Sequence, residues 1–169
     1  MTDKRIIDSF IDKYHLGGNI ERIKWISDNE SLSAKFINDS QNLVGEIKSK
    51  NFQFPVGEFG IYSTSTLSKL LGILENEVMF DVNKEGGIPS KFIIADTSMD
   101  ISFNLADPQV IPNVPAINKM EGNVEIELDE EFTTKFIKAK DAVGEEVFYI
   151  STRDGFTSKE VMFTIGTNS

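Results

Sequence analysis

Hydrophobic and polar positions along this chain follow two periods, and the switch between them recurs. In Thr2–His15 the apolar residues Ile6, Ile7, Phe10, Ile11 and Tyr14 fall at i, i+3/i+4 spacing, with Lys4, Arg5, Asp8, Asp12 and Lys13 mainly on the other side. The pattern predicts an amphipathic helix capped by Thr2 or Asp3 and ended at Gly17-Gly18. Period-two alternation then predicts three strands, Ile20–Ser27, Ser31–Asn38 and Leu43–Phe54. Asp28-Asn29 and Asn38-Asp39 are the turn signals between them, and Pro55 and Gly57 close the segment.

The plan then repeats with a leading strand visible. Phe59 and Ile61 alternate with Gly60 and Tyr62, and the hydroxyls of Ser63–Thr66 suit a helix start. Leu67, Leu70, Leu71 and Leu74 follow on one helical face. Three further strands are predicted at Glu77–Val82, Lys91–Ala95 and Met99–Leu105, with Gly86-Gly87 and Asp96–Ser98 as turns. Two copies of one unit make a domain over residues 1–105. Residues 106–116 hold Pro108, Pro112 and Pro115 and predict an extended interdomain connector, because proline cannot donate to a sheet ladder.

A partial second domain follows over residues 117–169. Asn123–Leu128 alternates as a strand, Asp129 caps a helix, and Glu146–Thr152 and Thr157–Ile165 form a hairpin around Asp154-Gly155. Asp3, Ile6, Phe10, Ile11 and Gly18 match Asp129, Phe132, Phe136, Ile137 and Gly144 at a constant offset, as internal duplication requires.

Composition narrows the chemistry. An apolar fraction of 40% with thirteen Phe supports a real core. Cysteine is absent and His15 is the only histidine, so neither a His-rich zinc site nor a Cys–His pair can be built. A Ser–His–Asp triad would need that same histidine, and no Gly-x-Ser-x-Gly elbow accompanies it. The acidic residues at Asp96, Asp100, Asp129–Glu131 and Glu145-Glu146 read as caps and solvated turns. Gly17-Gly18 and Gly86-Gly87 lack the spacing of phosphate loops. No signal peptide and no apolar run long enough to span a bilayer is seen. The net charge of −10 argues against tight wrapping of nucleic acid, though not against a ring whose inner wall is locally less negative.

Four short motifs, in order and spacing, carry a resemblance: Gly60-Ile61-Tyr62, Leu70-Leu71-Gly72-Ile73-Leu74, Ile94-Ala95-Asp96 and Ala106-Asp107-Pro108. They resemble the first domain of the sliding clamps of T-even-type bacteriophages, the ring-shaped DNA polymerase processivity factors. The resemblance implies an α+β, DNA-clamp-like fold of repeated β-α-β-β-β units, with helices on one face of curved antiparallel sheets. It implies a non-enzymatic protein without cofactor or metal, acting in the cytoplasm of an infected bacterium. Its partners would be duplex DNA passing through the hole, DNA polymerase, a clamp loader and further copies of itself in a trimeric ring. In such clamps the helices line the hole, which makes Lys4, Arg5, Lys13, Lys69, Lys135 and Lys138 the expected DNA-facing residues. Partner tails bind beside the connector, which makes Val110, Ile111 and Val114 the expected walls of a peptide groove.

The chain also departs from that family. A complete clamp subunit has four such units, whereas here the fourth is missing and the third lacks its last strand. A truncated reading frame, a shortened natural variant or a half supplied by another chain would each account for this. The last predicts pairing of the partial domain with a second copy, giving a dimer rather than the trimer. A clamp-fold structural or interaction module that does not encircle DNA is the alternative reading.

Overall fold

A computed structural model describes residues 2–28, 30–50, 54–116, 125–155 and 159–166. The chain divides into two units, Met1–Lys119 and Met120–Ser169. In the first, β1 (Thr2–Asp3) leads into α1 (Lys4–His15), followed by β2 (Ile23–Ser27), β3 (Ser31–Ile37) and β4 (Val44–Lys50). The plan then recurs as β5 (Gly57–Ile61), α2 (Thr64–Leu71), β6 (Glu77–Glu85), β7 (Ile88–Ala95) and β8 (Asp100–Asn104). The architecture is of mixed α and antiparallel β structure, as the α+β reading expects.

The two halves exchange their leading strands. β1 pairs with β6, giving a sheet of order β1-β6-β7-β8, while β5 pairs with β2, giving β4-β3-β2-β5. The sequence pattern shows no leading strand for the first half, because two residues are too few to display a period. Their hydrogen-bonding partners, Glu77 and Val78, come from the other half of the domain. The Gly86-Gly87 turn joins β6 and β7 with φ of 59° and 87°, the two positive values a two-residue hairpin turn needs.

Helix α1 begins where expected, because the Asp3 carboxylate accepts from the Arg5 N–H at 3.0 Å. It buries Ile7, Phe10, Ile11 and Tyr14. Ser63 caps α2, which buries Leu67 and Leu71, with Leu74 buried just beyond its end. Trp25 on β2 is the hub, fully buried with its ring centroid 5.5 Å from Phe10, 5.8 Å from Phe54 and 6.2 Å from Phe92. Burial of aromatic rings at edge-to-face distances is the main source of stability in such a core.

The proline-bearing segment is less extended than its composition suggests. Ala106 forms a β-bridge with Gly60, donating to its carbonyl at 2.9 Å. Pro108–Val110 then makes one turn of 3-10 helix, started by the Asp107 carboxylate accepting from the Gln109 N–H. Gly60 is needed here, since a Cβ at that position would lie 2.4 Å from the Ala106 carbonyl oxygen.

The second unit has α3 (Glu130–Val143) and the antiparallel pair β9 (Phe148–Asp154) and β10 (Lys159–Ile165). Asp129 caps α3 by accepting from the Phe132 N–H at 2.6 Å, repeating the role of Asp3. Gly144 ends it in the left-handed conformation, with φ of 72°. Phe132, Phe136, Phe148 and Phe163 form an aromatic cluster with centroids 5.1–6.0 Å apart. The strand expected at Asn123–Leu128 is not formed in its described part: Glu125–Leu128 joins no ladder and is exposed, while Asn123 and Val124 lie outside the described residues. An alternating sequence becomes a strand only when a neighbouring edge accepts its N–H and C=O groups.

Candidate nucleic-acid interface

The two helices of the first unit run antiparallel. The start of α1 reaches the end of α2, and the end of α1 reaches its start. At one end the Lys4 ammonium donates to the carbonyls of Leu71 and Leu74, both at 3.0 Å. At the other, the Tyr14 hydroxyl lies 3.3 Å from the Thr64 hydroxyl, and His15 Nε2 lies 3.1 Å from the Ser65 hydroxyl. Lys4, which the resemblance makes a DNA-facing residue, is thus held by carbonyls of the protein itself. The Leu71 carbonyl at the end of α2 also accepts from the Leu74 N–H at 3.1 Å, and a cation beside it suits the helix dipole.

A small polar cluster pins the opposite end. The Glu21 carboxylate accepts from the Ser65 N–H at 3.0 Å, from the Ser65 hydroxyl, and lies 3.1 Å from His15 Nε2. Burial acts to raise the Glu21 pKa, but these hydrogen bonds outweigh it and hold the carboxyl down at about 2. The same histidine nitrogen faces both Ser65 and Glu21, so the three do not form a relay through the imidazole. Their role is to anchor the first turn of α2. Among the described residues no group of His, Asp or Glu converges to hold a metal ion.

The remaining expected cations divide by what holds them. Arg5 is exposed and makes a bidentate pair with Asp3, its Nη2 lying 2.6 Å from Oδ2. Lys13 and Lys69 are exposed and make no ion pair among the described residues. In the second unit, Lys135 pairs with Glu131 one helical turn away at 2.5 Å, and Lys138 is exposed.

A cleft of about 400 Å³ lies between α1 and the edge strand β4. It is bordered by Arg5, Phe10 and Lys13 from the helix and by residues 47–50 of the strand, where Ile47 and Ser49 take the inner face and the exposed Lys48 and Lys50 alternate to the outer one, beside Asp28 and Glu30. Lys48 and Lys50 did not stand out in the sequence, because lysines alternating along a strand read as its solvated face.

The expected peptide groove is also redrawn. Val110 is exposed and Val114 half-buried, but Ile111 is 4% exposed and belongs to the core. The 3-10 turn ahead of it carries it inward, so Ile111 is not an open groove wall. A cleft of about 360 Å³ does lie beside this segment, bordered by Lys84, Ile88, Pro89, Pro108 and Gln109.

No known protein family matches the sequence, and no curated protein matches it. Solved structures resemble the fold. The PCNA2–PCNA3 complex from Sulfolobus tokodaii superposes with a TM-score of 0.56 at 11% identity, covering 96% of this chain and 70% of that one. Proliferating Cellular Nuclear Antigen from Entamoeba histolytica superposes with a TM-score of 0.54 at 14% identity, covering 97% and 71%. The DNA polymerase III subunit beta from Pseudomonas aeruginosa matches over 67% of this chain and 31% of its own, at 14% identity and a TM-score of 0.47. The chain thus spans less than a third of that subunit and about 70% of the two others. At these identities the likeness establishes the fold, a DNA clamp.

Proposed function

We propose that this chain is a sliding-clamp subunit: a non-enzymatic processivity factor that encircles duplex DNA and tethers a DNA polymerase. The observation that carries the reading is the strand-exchanged domain with its antiparallel helix pair, matched over nearly the whole chain by the two PCNA structures. Lys13, Lys69 and Lys138 are the helix cations left open to phosphates, joined by Arg5 once it releases Asp3. The ring would be built from several copies, opened by a clamp loader, with partner tails received near Val110 and Val114 in the cleft of Ile88 and Pro108. The four short motifs support a clamp of the T-even phage type, which would act in the cytoplasm of an infected bacterium.

The test is loading onto nicked circular DNA with stimulation of a cognate polymerase, together with the mass in solution. Retention on circular but not linearised DNA, with a mass of three copies, is the expected result. A monomer that neither loads nor stimulates overturns it. Two copies would instead favour pairing through the second unit.

A second reading, a clamp-fold interaction module that does not encircle DNA, has its own support. Lys4, Arg5 and Lys135 are all held by groups of the protein itself, and Asp8 and Asp12 share α1 with Lys13. Polymerase binding without retention on circular DNA would favour it.

A further inference from the structure

We draw no further inference here: the strongest candidate, the apolar surface that the second unit leaves exposed at Ile126, Leu128, Ile137 and Ile150 beside the open edge of β9, carries nothing, because nothing in the structure shows what covers it.

Discussion

The two units use one plan and reach different ends. Ile11 and Ile137 hold the same place in the repeat, one position after a phenylalanine on an aspartate-capped helix. Ile11 is 1% exposed and Ile137 is 52% exposed. Both sequences are helical and amphipathic, the first more strongly, yet that alone does not bury one and expose the other. The difference lies in what stands opposite. In the first unit the helix pair packs with two four-stranded sheets that exchange leading strands, so every apolar face meets another. In the second, one helix packs with a two-stranded sheet, and none of its described residues is buried. An aromatic cluster of four phenylalanines is thus not sufficient for a core. Water is excluded only when an apolar layer is covered on both sides.

The contrast is sharpest in substitution. Ile11→Ala is expected to cost about 2–5 kcal/mol, the range for deleting a buried aliphatic side chain. Ile137→Ala is expected to stay within about 0.5 kcal/mol, as for an exposed site. Urea unfolding checks both, followed by circular dichroism and by the fluorescence of Trp25, the only tryptophan. A large loss at Ile137 would mean that the second unit has a covered face after all.

Next in size is the seam that holds the 106–111 segment to the first unit. Gly60→Ala forces a methyl against the Ala106 carbonyl and is expected to cost about 1–3 kcal/mol, as overpacking does. Hydrogen exchange at the Ala106 amide, which donates to Gly60, should accelerate in this variant. An unchanged rate would show that the segment is not pinned there.

A third comparison sets one lysine against another. Lys4→Met removes a cation from two helix-end carbonyls and is expected to cost about 1–2 kcal/mol, discounted for its partial exposure. Lys135→Met breaks an exposed i,i+4 pair and is expected to cost about 0.3–0.5 kcal/mol. Equal effects on thermal melting would remove the distinction between a lysine that joins two helices and one that decorates its own.

The last comparison is a pH dependence. The Glu21 pKa is lowered from 4.5 to about 2 in the folded state, so its stabilising contribution is present above pH 4.5. It is lost as pH falls from 4.5 toward 2, because the unfolded chain takes up the proton first. Ser65→Ala removes the hydroxyl that holds the carboxylate, so part of that acid-side slope should disappear from melting curves across the window. A slope identical to wild type would show that Glu21 does not link the α1–α2 connection to α2.

Sequence alone determined the elements whose signals are local. The Asp129 cap, the two long amphipathic stripes, the Gly86-Gly87 hairpin and the repeat that links Asp3 to Asp129 are each legible locally, whereas the choice of Asp3 over Thr2 as the first cap came from the structure. The four motifs from Gly60 to Pro108 pointed to the clamp fold for the same reason. Tertiary structure decided whatever depends on a partner distant in the chain. Thr2–Asp3 became a strand because Glu77 and Val78 offer an edge, while Glu125–Leu128, with a clearer alternation, did not, because no described edge accepts it. The Lys4 ammonium is held because the end of α2 stands beside it, and Ile111 is buried because a single 3-10 turn carries it inward. Lys48 and Lys50 stand on the outer face of β4, near Asp28 and Glu30, because Ile47 and Ser49 pair with the buried Ala34 and Leu32 on the inner one. Periodicity records which side of an element is apolar; which surface that side meets, and which charges come to share a cleft, is settled only when the elements pack.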